Sequence, residues 1–163
     1  MKNRKAEIFG QNGTAPLHPF ACIGHSRLVT SGTETLANNN QPLVTDRVVG
    51  IHNGVLVNTD ALWAKHKTIE RQAVVDSEII FKLLSRENKG QWAAALADVF
   101  SEIEGSASIA CLVNDGKTLL LGTNTGSLYL AENKSANWIA FASERYTLEQ
   151  ALKHLAAGQI IED

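Results

Sequence analysis

Cysteine, proline and methionine are scarce in this sequence, and long apolar runs are absent. Of 163 residues, two are cysteine, three proline and one methionine, and aromatics make up 6%. Cys22 and Cys111 each sit in an apolar segment, with no CxxC pair and no His/Cys ligand spacing. That pattern excludes a disulfide framework or a zinc site and predicts two buried, reduced thiols. No segment approaches the roughly 18 to 20 apolar residues of a spanning helix. Met1–Lys5 leads into polar sequence rather than the apolar core of a signal peptide. The expectation is a cytoplasmic protein with no membrane partner. Beyond Met1–Lys5 the basic residues do not cluster, and the formal charge is −2, so no nucleic-acid partner is expected. No residue group calls for a cofactor or a metal.

What is present is enough apolar sequence, 44%, for one domain with its own core. Residues 1–19 are polar and broken by Gly10, Gly13, Pro16 and Pro19, and read as a lead-in. A strand is expected at Phe20–Gly24, a loop over Thr33–Asn40, and a strand at Arg47–His52 that ends in an Asn53-Gly54 turn. Helices are expected at Thr59–His66, with Asn58 or Thr59 as cap, at Asp76–Arg86 and at Gln91–Ile103, closed by Gly105. Their apolar residues (Ile79, Ile80, Leu83 and Leu84; Trp92, Leu96, Val99 and Phe100) fall on one face each. Ser108–Val113, Thr118–Gly122, Leu128–Glu132 and Trp138–Ala142 read as an antiparallel meander. A helix at Leu148–Leu155 and a strand at Gln159–Glu162 follow. Strands and helices segregated in runs indicate an α+β layered architecture.

Three short motifs can carry chemistry. In Gly24-His25-Ser26-Arg27-Leu28-Val29-Thr30-Ser31-Gly32 a strand enters a glycine-bounded loop with one arginine, whose planar guanidinium can grip a carboxylate. An arginine at a strand end is more often a solvated surface residue. Gly50-Ile51-His52-Asn53-Gly54 brings a glycine amide beside an asparagine carboxamide, two donors that could hold an oxyanion; taken alone, the motif reads first as a plain Asn-Gly hairpin turn. Asp76 opens an apolar-faced helix, where it serves either as an N-cap or as an acceptor for a substrate ammonium.

The order and spacing of Gly24-His25-Ser26-Arg27, His52-Asn53-Gly54 and Asp76-Ser77-Glu78-Ile79-Ile80 resembles the glutaminase domain of class II glutamine amidotransferases, members of the N-terminal-nucleophile hydrolase superfamily. Asn58, Gln41-Pro42-Leu43, Glu104-Gly105 and Phe141-Ala142-Ser143-Glu144 extend the resemblance over most of residues 20–163. It implies a four-layer αββα sandwich and a site for L-glutamine. Arg27 and Thr30 would hold the α-carboxylate, Asp76 the α-ammonium, and Asn53 and Gly54 the oxyanion. Ammonia would pass to a synthase domain or subunit. Leu28 and Ser31 stand where the sugar-synthase branch carries tryptophan and histidine.

Family members attack the amide with an N-terminal cysteine activated by its own α-amine. This sequence begins Met1-Lys2-Asn3, so the nucleophile and the strand bearing it are expected to be missing. The domain is then partial at its N-terminus, inactive in hydrolysis, and inclined to dimerise through an unpaired sheet edge. Cys22 lies three residues before His25, which in a strand puts the two on opposite faces and disfavours a thiolate–imidazole pair. The alternative is a non-catalytic amidotransferase-like module that binds a ligand or a protein partner.

Overall fold

The computed structural model describes residues 19–26, 39–87, 89–113, 116–154 and 159–161. Among the described residues, seven strands form two antiparallel sheets. The first holds β1 (Leu43–Val44), β2 (Val48–Leu56), β3 (Gly105–Val113) and β4 (Thr118–Thr123), in that order across the sheet. The second holds β5 (Tyr129–Asn133), β6 (Trp138–Ala142) and β7 (Gln159–Ile161), in the order β6-β5-β7. Helices α1 (Thr59–Lys65), α2 (Ser77–Leu84) and α3 (Trp92–Glu102) lie between β2 and β3 in the chain, and α4 (Arg145–His154) packs on β5 and β6.

The main core lies between the first sheet and its helices. Side chains alternate across a strand, so Val48 and Leu56 of β2 share one face with Ala107, Ile109, Cys111 and Val113 of β3, and all are buried there. Against that face α2 is buried on nearly every side, with seven of its eight residues inaccessible and Phe81 fully covered. Two glycines make room for this packing. A Cβ at Gly50 would stand 2.3 Å from the Phe81 ring, and one at Gly122 would stand 2.7 Å from Leu96.

Most predicted elements form, and the departures at Asn53-Gly54 and Gly105 share one cause, non-local pairing overriding local turn chemistry. β2 does not end at His52. It runs through Asn53-Gly54 to Leu56, paired throughout with β3, so Asn53 faces Ser108 and Gly54 faces Ala107. Gly105 does not close α3, which stops at Glu102; it starts β3 opposite Leu56. The expected meander is divided between the sheets, with β3 and β4 in one and β5 and β6 in the other. Residues 19–26 form no strand, and Cys22, expected to be buried, is exposed there. A short apolar run specifies a strand only with a partner to pair with. Cys111 is buried in β3 as expected, and burial pushes its thiol up to about 12.

Candidate functional site

The far end of β2 is where the sequence motifs meet. Its outer edge, the one turned away from β3, is covered by β1 only at Val49 and Gly50. Beyond β1 the backbone groups on that edge are met by single side chains. The Gln41 carboxamide behaves like one more peptide unit of β1: its Nε2 donates to His52 O at 2.9 Å and its Oε1 accepts from His52 N. Four residues on, Leu56 N donates to Asp76 Oδ2 at 2.9 Å. Strand alternation puts the amide of Gly54 on this same edge, between the Gln41 and Asp76 caps.

Gly54 is a position only glycine can fill. Its φ is +146°, and a Cβ there would stand 2.0 Å from the backbone oxygen of Ser106. Asn53 and Gly54 are both exposed, whereas His52 beside them is buried. The His52 ring fills the space against Gly54 and is held at both nitrogens. Nδ1 is 2.9 Å from Ser77 Oγ, and Nε2 is 3.3 Å from the Ser106 carbonyl. Burial lowers the His52 pKa below 6.5, against opposing pulls from Asp76 and the Ser106 carbonyl; His25 adds a further lowering contribution. His25 is therefore close enough to act on His52, which brings the Gly24-His25-Ser26 motif to this end of β2.

Asp76 precedes α2 with helical dihedrals and makes no capping bond to the helix. Its carboxylate turns instead to β2 through Leu56 N, and its Oδ1 lies 3.3 Å from the Ser77 hydroxyl, within reach of that proton. The preceding loop is fixed by buried Glu78, whose two oxygens accept Gln72 N and Ala73 N, each at 2.8 Å. Asn58 likewise makes no capping bond to α1. It donates to Glu102 O at 2.9 Å and accepts from Glu104 N at 3.0 Å, clamping the link into β3. Asn124 performs the same task on the other side of β3, bonding Ala107 N at 2.8 Å and Gly105 O at 3.0 Å. Three carboxamides and one carboxylate thus hold the backbone around Asn53-Gly54.

Of the expected site residues, Asn53, Gly54 and Asp76 come together, while Arg27 and Thr30 lie outside the described residues. The glutamine amidotransferase domain family model matches residues 25–150. The chain belongs to this family. This class II amidotransferase domain, an α+β fold of the N-terminal-nucleophile hydrolase type, is similar to the glutamine–fructose-6-phosphate aminotransferases of Clostridium perfringens and Leifsonia xyli. It is 28% identical to the first over 129 residues, 77% of this chain and 21% of the relative. It is 30% identical to the second over 145 residues, 84% of this chain and 23% of the relative. It spans about a fifth of the length of these relatives. Among solved structures, the glutamine phosphoribosylpyrophosphate amidotransferase of B. subtilis superimposes with a TM-score of 0.62 at 19% identity, covering 77% of this chain and 28% of that one. At that identity the likeness speaks for the fold. Among the described residues, no helix is long and apolar enough to cross a membrane.

The positioning roles of His52, Ser77 and Glu78 in this amidotransferase domain were missed in sequence reasoning, although all three flank motif residues. His52 had a signal: it falls on the same strand face as Val48 and Gly50, so it had to be buried. Gln41 gave only family resemblance, because its bond partners lie eleven residues away.

Proposed function

We propose that this domain binds L-glutamine at the outer edge of β2, Asp76 taking the α-ammonium and Asn53 and Gly54 donating to the amide oxygen. The supporting observation is the bond from Leu56 N to Asp76 Oδ2. It places the acidic group two residues along the strand from the paired donors, on the edge where the Gly54 amide lies. An exposed carboxamide and a backbone amide held in a rigid strand are the kind of preorganised donors that stabilise negative charge on a carbonyl oxygen. Arg27 and Thr30 complete the site in this reading by holding the α-carboxylate. In this reading residues 20–163 form the amidotransferase domain and residues 1–19 its lead-in, and a synthase domain or subunit would receive the ammonia wherever a nucleophile completes the site.

Hydrolysis of the amide takes a thiolate that neither cysteine is built to supply. Cys111 is buried within β3, its thiol pushed up to about 12. Cys22 is an internal residue with no α-amine of its own to take its proton. The 163-residue chain by itself is accordingly a glutamine binder without turnover. The same placement of the cysteines favours the second reading, a non-catalytic ligand-binding or interaction module.

Calorimetric titration of the chain with L-glutamine, with D-glutamine as control, tests the assignment. Saturating heat is expected for the L form alone, and loss of at least about tenfold in affinity in Asp76→Ala, as for one lost charge-assisted hydrogen bond. Equal heats for both forms, or an unaffected Asp76→Ala, would reject it. Glutamate release by the purified chain would reject the binder-only reading.

A further inference from the structure

The hydroxyl of Ser77 faces two groups that both claim its single proton. It is 2.9 Å from His52 Nδ1 and 3.3 Å from Asp76 Oδ1, and it also receives Gln41 Nε2 at 3.5 Å. The other nitrogen of His52 faces the Ser106 carbonyl, which can only accept, so Nε2 carries a hydrogen. With His52 neutral, Nδ1 is then a bare acceptor and takes the Ser77 proton, leaving Asp76 Oδ1 without that bond. When His52 is protonated, Nδ1–H donates to Ser77 Oγ and the hydroxyl proton swings to Asp76. Ser77 is 2% exposed, so water does not relax the conflict.

We propose that Ser77 is a positioning residue that makes glutamine binding at Asp76 and protonation of His52 mutually opposed. The inference rests on the glutamine reading above and adds regulation to it. In the neutral state Asp76 Oδ1 is open to an α-ammonium. In the protonated state that oxygen already holds the Ser77 hydroxyl and lies near an imidazolium, so a second cation binds less well. Coupling is reciprocal, so bound glutamine disfavours the proton on His52 by the same factor that the proton disfavours glutamine. Among the described residues, the charged and titratable groups that act on His52 are Asp76, at the start of α2, and His25, on the segment 19–26. Asp76 favours its protonation and His25 opposes it, while burial holds the ring neutral at ordinary pH.

The test is calorimetry with L-glutamine from about pH 5 to about pH 8, in two buffers of different ionisation enthalpy, on the wild-type chain and on Ser77→Ala. Wild type is expected to lose about tenfold in affinity toward the acid end, with a fraction of a proton released on binding near the midpoint. Ser77→Ala should bind with a shallower pH profile and less proton release, because only the direct repulsion between the imidazolium and the ligand cation remains. Imidazole ¹⁵N spectra supply a readout that does not depend on the ligand: His52 should show the Nε2–H tautomer in wild type at neutral pH. Binding with identical proton release in Ser77→Ala would overturn the coupling and assign the linkage to His25. A wild-type chain that binds with no proton release, or a His52 in the Nδ1–H tautomer, would overturn it too, leaving the glutamine site standing. Absence of glutamine heat at every pH would instead remove the binding reading, and this inference with it.

Discussion

The two halves of β2 share a strand and a partner yet are built differently. From Val48 to His52 the strand is covered on its outer edge by β1 and Gln41, with Phe81 packed against Gly50, and only Val49 is more than slightly accessible. From Asn53 to Val55 it is exposed, and its edge is bounded by Gln41 on one side and Asp76 on the other. One half stabilises the fold and the other, in the proposed function, presents backbone to a ligand. Both depend on continuous pairing with β3, so the presenting half borrows its rigidity from the buried half. A two-residue loop at Asn53-Gly54, the local preference of that dipeptide, would have had to hold the same donors without a ladder behind them.

The largest change is expected from breaking the buried half. Phe81 is fully covered, and Phe81→Ala removes a ring from a site with little freedom to collapse, at a cost of about 3–5 kcal/mol. Urea unfolding should show the midpoint falling at constant slope. If the two halves are as coupled as the shared ladder implies, glutamine affinity should fall as well, although Phe81 touches no proposed ligand group. Affinity that persists in a folded Phe81→Ala chain would show that the exposed half keeps its own geometry.

A smaller loss of stability, but a complete loss of binding, is expected from Gly54→Ala. The added methyl would meet a backbone oxygen at 2.0 Å in a conformation that non-glycine residues rarely adopt. Strain of this kind costs about 1–3 kcal/mol where the surroundings enforce it. Gly50→Ala is the control. Its methyl meets a ring that can shift, so it should cost stability by overpacking, about 1–3 kcal/mol, and spare binding in proportion to how well Phe81 moves. Equal effects on binding from the two substitutions would erase the distinction between the halves.

How much of this could be read beforehand follows from the range of each interaction. Helices α1, α2 and α3 and strand β4 came within a few residues, because their apolar spacing is a local property. Gly50 and Gly122 could not be placed, since their reason is a side chain on another element. Asn53, Gly54 and Asp76 were nominated through motif order, but where the fold puts them was not legible there. The Asn53-Gly54 pair lies inside a strand, and Asp76 braces β2 rather than capping α2. Asn58 and Asn124 clamp groups that lie 44 and 17 residues away, beyond what a local window can show.

The smallest expected change, and the sharpest on where the two halves join, comes from pH. His52 stands at that junction, and burial lowers its pKa below 6.5. Above 6.5 folded and unfolded chains both hold the ring neutral, and it contributes nothing to pH dependence. Below 6.5 the unfolded chain takes up a proton that the folded chain refuses, so stability falls with falling pH until the folded pKa is reached. Glu102, on α3 and away from β2, titrates in a different window. His66 first and Lys65 second, through hydrogen bonds, hold its carboxyl below 4.5. It stabilises above 4.5 and that contribution is lost as pH falls through its lower folded value. Denaturant midpoints measured against pH should therefore show two steps, the upper removed by His52→Asn and the lower reduced by Glu102→Gln. A single step below pH 4.5 would mean that His52 accepts its proton without disturbing the strand, and that the buried half does not report on the exposed one.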